Sequence, residues 1–262
     1  MTTLSLAVHD SAVMLRRNLL HMRRYPSVTF FQIGIPVMFL LLFVYIFGDT
    51  LGNGLGAAAG GRSAYVNYVV PGILMFAVAG AATGTAISVA MDMTEGIIAR
   101  FRTMRIFRPS VLTGHVFGSL LQSMLALVVV TGVALLVGFR PTATPLEWLA
   151  AAGLLALFTF AVIWFAVGCG LAAKTVESAS NMPMPLMLLP FLGSGFVPTD
   201  SMPAAVAWFA RYQPFTPVIE TVRGLLLGSP IGNNGLIAVI WSVAITVVCY
   251  LWSRRLYRRD PN

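Results

Sequence analysis

Six apolar stretches, residues 28–48, 65–91, 111–138, 146–171, 182–197 and 236–252, contain a single Asp, Glu, Lys or Arg between them, Glu147. A hydrocarbon core about 30 Å thick is crossed by about 20 apolar residues of helix. Helix is the form that satisfies every backbone N–H and C=O within one segment where no water is available. Five of the stretches have that length. The fifth in order, 182–197, is shorter and holds Pro183, Pro185 and Pro190, so it reads as an irregular span. Charged residues make up only 10% of the chain, against about a quarter in a soluble domain. The expected fold is therefore an all-α integral membrane protein with six transmembrane helices, a single domain over residues 1–262.

The polar residues mark where the chain leaves the bilayer. Of the 17 basic residues, all but Arg62, Arg140, Arg211 and Arg223 fall on one side of this alternation, which the positive-inside rule assigns to the cytoplasm together with both termini. The net charge of +8 is thus spent at membrane edges, and nucleic acid is not an expected partner. Residues 1–25 place Leu4, Val8, Ala12, Leu15 and Leu19 on one face and His9, Arg16, Arg17, Arg23 and Arg24 on the other, the pattern of an amphipathic interfacial helix lying among lipid headgroups. Residues 92–109 combine Asp92, Glu95, Arg100, Arg102, Arg105 and Arg108 with Ile97, Ile98, Phe101 and Met104, a short cytoplasmic helix. Residues 49–63 read as an external loop and 140–145 as a tight external turn. Residues 198–234, with Pro203, Pro214, Pro217, Arg211, Glu220 and Arg223, read as helices that re-enter the membrane from outside. No leader is visible, since the first apolar run starts late and lacks a small-residue cleavage site. Cys169 and Cys249, each inside an apolar run, read as small buried hydrophobes.

Several motifs suggest chemistry and fail on context. Residues 168–175 nearly spell a phosphate-binding loop, but Ala173 stands where glycine is required before Lys174, and the segment ends a helix rather than opening one. His9, His21 and His115 are far apart and have no Asp, Glu or Cys at metal or nucleophile spacing. Ser194, between two glycines, has no histidine in the later spans to serve as its base. The span residues Thr83, Thr85, Ser88, Gln122 and Ser123 are polar but uncharged, which disfavours a proton or sodium relay. Gly80 with Gly84, and Gly114 with Gly118, have the spacing that lets helices approach closely, and packing within the chain is their simplest use. No metal or cofactor is expected on this chain.

The string from Thr94 to Met104 resembles the first cytoplasmic loop of type-2 ABC exporter permeases. A second pair of segments, 194–203 and 212–228, resembles that family's late external region, and the likeness extends over nearly the whole chain, being closest to the permeases associated with daunorubicin and doxorubicin resistance. The resemblance implies a bacterial plasma-membrane exporter subunit for a hydrophobic drug, lipid or lipid-linked compound. Its partners would be two ABC ATPase subunits, which bind ATP and Mg, and a second permease copy, identical or related. It implies that Glu95, Gly96, Ile97, Arg100, Phe101, Arg102 and Met104 form a coupling helix docking on the ATPase. It also implies that Pro214, Phe215, Pro217, Glu220, Arg223 and Gly224 belong to an external gate, with Glu220 and Arg223 one turn apart and able to pair. A membrane scaffold or regulatory subunit that moves nothing is the alternative reading.

Overall fold

The computed structural model describes residues 26–54, 61–94 and 109–258 of the chain. The expected interfacial helix of residues 1–25 and the coupling segment 95–108 lie outside the described residues. In chain order the helices are α1 (Pro26–Ile46), α2 (Gly48–Gly54), α3 (Arg62–Thr94), α4 (Pro109–Val137), α5 (Pro145–Ala172), α6 (Val176–Asn181), α7 (Ala204–Tyr212), α8 (Phe215–Leu227) and α9 (Asn234–Arg258). Short 3₁₀ turns cover Met184–Leu188 and Thr199–Ser201. No strand occurs among the described residues.

Four stretches are long and apolar enough to cross a membrane: Arg62–Thr94, Gly114–Val137, Pro145–Ala172 and Asn234–Tyr257. Within their most apolar parts, 72% of α3 and of α5 is buried, against 28% of α4 and 17% of α9. The first two are therefore the centre of the bundle, and the last two turn most of their surface outward. The composition of α3 suits the centre, because Ala77, Ala79, Ala81, Ala82 and Ala86 are all buried and small side chains let neighbours approach from several sides. The outward surface of α4 and α9 is itself apolar, with Leu121, Val128, Leu136, Ile240, Val248 and Leu251 exposed. That is a surface made for lipid, not water.

Local signals set the helix ends. Thr144 caps α5 with a capping box: its hydroxyl accepts from the Glu147 N–H at 3.4 Å, and the Glu147 carboxylate accepts from the Thr144 N–H at 2.6 Å. Pro145 follows at the first helical position, where its missing donor costs nothing. The C-terminus of α8 is closed by Gly228 in the left-handed region, φ +74°, a conformation that costs glycine little.

Two expectations are corrected. Residues 49–63 are not a loop throughout, since α2 and the start of α3 occupy both of its ends; the Arg62 N–H donates to Asp49 at 3.3 Å and ties them together. More consequentially, among the described residues four of the six expected spans are helices long and apolar enough to cross a membrane. Of the other two, α1 is a helix of 21 residues whose apolar part is described from Phe30 to Ile46, and residues 182–197 form no α-helix. The prolines explain the second case: each removes an N–H and crowds the preceding turn, so the backbone settles for three-residue spacing, as in Leu186 N–H to Pro183 O at 2.9 Å and Phe191 N–H to Leu188 O at 3.1 Å.

This irregular segment nevertheless runs along α3. Met187 lies beside Gly80, and Gly195 beside Gly72, so eight residues of the segment cover eight residues of helix, about 12 Å at 1.5 Å each. An aromatic cluster holds it there. Phe191 and Phe196 stack at 4.2 Å between ring centroids, Phe196 meets Phe43 of α1 at 4.7 Å, and Phe191 meets Phe76 of α3 at 5.5 Å. The tightest approach is between backbones: a Cβ on Gly72 would fall on the Gly195 carbonyl. Of the glycine spacings singled out in the sequence, Gly80 with Gly84 is not a tight one. Gly84 has open space beside it, and Gly80 meets only the end of Met187 at 3.9 Å.

Helices α7 and α8 form a hairpin whose turn holds the buried Gln213 and the half-buried Pro214. The α8 end is pinned to the 138–144 turn by the Thr142 N–H donating to Leu226 O at 2.9 Å. The opposite end of α8 places the Phe215 ring 4.9 Å from Phe158, fourteen residues along α5 from Thr144. By helix rise the hairpin tip lies about 16–20 Å from the 138–144 end of the bundle.

Candidate functional site

Unwound backbone at that depth poses a chemical problem. A 3₁₀ turn followed by bends leaves carbonyl and amide groups without ladder partners, and in a dry environment each needs another. The hairpin and α3 supply them. Gln213, buried, donates from Nε2 to the Leu189 carbonyl at 3.0 Å and to the Thr216 hydroxyl at 3.1 Å. Its Oε1 accepts the Phe215 N–H at 3.2 Å, serving one of the orphan donors at the start of α8. The Thr216 hydroxyl in turn accepts the Ser194 N–H at 3.4 Å.

The Ser194 carbonyl accepts twice, from the Tyr68 hydroxyl at 2.9 Å and from Arg223 Nη2 at 2.7 Å. Arg223 is 7% exposed, which would be expensive for a lone charge. It is not alone. Nη1 donates to Glu220 at 2.6 Å, Nη2 also donates to the Tyr68 carbonyl at 3.1 Å, and the guanidinium lies over the Tyr68 ring at 4.0 Å from its centroid. Tyr68 sits just before Pro71, where the α3 ladder is interrupted. Arg223 therefore clamps three elements at once: α8 through Glu220, the helix α3 through Tyr68, and the irregular segment through Ser194. Its planar fork reaches these acceptors together, as a lysine point charge cannot.

The other late-region residues occupy one short helix but different surroundings. Pro214 precedes α8, and Phe215 packs on Phe158. The Pro217 carbonyl accepts the Thr221 hydroxyl at 2.7 Å. Gly224 faces away from the clamp, toward Ile231 and the Ser229 carbonyl. The coupling residues Glu95, Gly96, Ile97, Arg100, Phe101, Arg102 and Met104 lie outside the described residues. Reasoning from sequence missed Gln213, Thr216 and Tyr68. The available signal was the run of polar side chains, Gln213 and Thr216, set between prolines in an otherwise apolar segment.

One further constellation corrects the reading of the histidines. His115 at the start of α4 lies 2.8 Å from Asp92 at the end of α3, with side chains 4% and 14% exposed. The pair joins the two helix ends that flank residues 95–108. Asp92→Asn and His115→Ala are each expected to lower stability by about 2 kcal/mol, and together by less than the sum, since the first removal already breaks the shared contact. Unfolding of the single and double variants in one detergent measures the coupling; additive losses would show that the contact contributes nothing.

The site offers no constellation for catalysis. Among the described residues no group of three or more His, Cys, Asp or Glu is placed to hold a metal ion. The near-phosphate-loop motif lies at the C-terminal end of α5, not at a helix N-terminus.

Residues 11–227 match the family described as ABC-2 type transporter. The chain is 28% identical over 255 residues, 96% of its length and 87% of the relative's, to the daunorubicin resistance ABC transporter permease protein DrrB1 of Streptomyces coeruleorubidus. It is 24% identical over 222 residues, 84% of its length and 79% of the relative's, to the probable doxorubicin resistance ABC transporter permease protein DrrC of two Mycobacterium tuberculosis strains.

Proposed function

The chain belongs to the ABC-2 type transporter family, and from that membership we propose that it is the membrane permease of an ATP-driven exporter that moves a hydrophobic drug or lipid-like compound out of a bacterial cytoplasm by alternating access. The permease itself carries no ATPase chemistry. In this reading ATP and Mg sit on two partner ATPase subunits, a second permease copy completes the path, and the chain's termini are cytoplasmic. The substrate class is supported by the drug-resistance permeases to which the chain is similar.

The observation that carries the reading is the irregular segment 182–197, tied by side chains to α3 on one side and α8 on the other. A helix with its own ladder moves as a rod. A segment whose amides and carbonyls are borrowed by neighbours can exchange partners when those neighbours shift, which is what a two-state element needs. The α7–α8 hairpin then acts as an external gate that re-enters the membrane from outside, with Pro214 at its turn and Phe215, Pro217, Glu220, Arg223 and Gly224 on its inner helix. The path runs where α1, α3 and the segment meet, along Phe39, Phe43 and Phe191, whose rings are half-buried and free of polar competition for a greasy ligand. Residues 95–108 carry the coupling helix, with Ile97, Phe101 and Met104 entering the ATPase and Glu95, Arg100 and Arg102 orienting it.

The test begins with gentle purification of the tagged chain from its native membrane. An ATPase subunit that co-purifies in stoichiometric amount, and drug efflux from vesicles holding the complex, are the expected results. Replacing Phe101 and Arg102 together by Ala should lower efflux about tenfold or more, the scale of losing about 1.4 kcal/mol of docking, while the permease still accumulates folded. Normal efflux in that variant would overturn the coupling assignment. A folded complex that binds ATPase yet moves nothing would make the chain a scaffold or regulatory subunit.

A further inference from the structure

A groove of about 540 Å³ lies between α5 and α9, within the range of cavities that hold drug-sized ligands. Its walls include Phe158 and Phe165 from α5 and Trp241, Ile245, Val248 and Trp252 from α9, and none of its lining residues is charged. It opens on the outward surface of the bundle, since α9 is the least buried of the long helices.

Three features decide what fits it. From Trp241 to Trp252 the groove follows α9 for eleven residues, about 16 Å, or roughly half of a 30 Å hydrocarbon core. That is the reach of one leaflet. Its lower end is at Trp252, a ring suited to headgroup depth, and its upper end is closed by Phe158 and Phe215 near the hairpin tip. Directly past Trp252, Arg255 continues the face of α9 that carries Trp241, Ala244, Val248 and Trp252, and it is exposed. It is in no ion pair with another described residue. An apolar channel one leaflet long, ending at a cation, complements a molecule with an anionic head and an apolar tail.

We infer that this groove binds one anionic phospholipid of the arginine-side leaflet, an acyl chain lying along α9 between Trp241 and Trp252 and the phosphate held by Arg255. The site is separate from the clamp around Arg223 and does not depend on the chain being an exporter. Surface cations attract anionic lipid within about a Debye length, and the groove adds the chain recognition that a bare basic patch lacks. Since Phe215 and Pro214 form part of the wall, an occupied groove also braces the hairpin tip from the lipid side.

The probe is native mass spectrometry of the purified full chain titrated with phosphatidylglycerol or phosphatidylcholine of identical chains. The wild type should retain one phosphatidylglycerol and prefer it about tenfold. The variant Arg255→Gln should lose the preference while still binding either lipid weakly, and Arg254→Gln, on the opposite face of α9, should keep it. Ala244→Trp, which fills the groove, should lose retention of both. As a measurement that needs no groove-filling variant, phosphatidylglycerol with brominated chains should quench tryptophan fluorescence more than the brominated phosphatidylcholine, and Trp241→Phe with Trp252→Phe should abolish the excess. Equal binding of the two lipids by the wild type, or equal quenching, would overturn the site. Lipid retention unchanged in Ala244→Trp while a dimer dissociates would assign the groove to a second copy instead.

Discussion

Replacing Arg223 by Ala is expected to destabilise the protein by about 3–5 kcal/mol, the cost of breaking a buried pair and leaving its partners behind. The loss is large because one side chain serves several acceptors. Without it the Glu220 carboxylate loses its counter-ion, the Tyr68 carbonyl loses its Arg223 donor near the proline interruption in α3, and the Ser194 carbonyl keeps only the Tyr68 hydroxyl. Arg223→Lys keeps the charge but not the fork, so it is expected to recover about half of the difference. Tyr68→Phe removes a single hydrogen bond and should cost about 1 kcal/mol. Unfolding in detergent, followed by tryptophan fluorescence, ranks the three. An Arg223→Ala protein as stable as Tyr68→Phe would mean that the guanidinium does not clamp the segment.

The same residues show where sequence reasoning reaches its limit. That Glu220 and Arg223 can pair follows from their three-residue spacing on a helix, and the structure gives 2.6 Å. That Arg223 also holds Ser194 and Tyr68 could not be read, because those acceptors are main-chain carbonyls, which every residue has. The long helices were legible from apolar length, and α5 even in its start, because Thr144, Pro145 and Glu147 state a capping box locally. The prolines at 183, 185 and 190 announced irregularity in the fifth segment, yet apolar length alone still counted it as a span. Asp92 and His115 escaped notice because the search for partners was local, whereas the chain brings them together across residues 95–108. The glycine spacings at Gly80 and Gly84 misled for a related reason: a glycine matters only through what lies opposite it, and the sequence does not say what that is.

Gly72→Ala tests that last point most sharply. In an isolated helix the change from Gly to Ala stabilises by about 0.8–1 kcal/mol, so a helix-only view expects a more stable protein. Here the new Cβ would meet the Gly195 main chain, with the carbonyl oxygen nearest. A side chain in that place can rotate away, but backbone must translate. Gly195 is itself crowded there, since a Cβ on it would meet the Pro190 carbonyl and Ile219 as well as Gly72. The segment must therefore lift from α3, which strains the Tyr68 and Arg223 bonds to Ser194, one residue away. Overpacking of this kind costs about 1–3 kcal/mol and occasionally more, and the added strain on the clamp places Gly72→Ala at about 3 kcal/mol destabilising. Gly84→Ala is the matched control on the same helix: nothing stands within 4 Å of its Cβ, so only the helix gain should remain. Thermal unfolding of the two variants in one detergent should move in opposite directions. If both rise together, residues 187–195 do not lie against α3 as described, and the clamp loses the contact that gives it a lever on the segment.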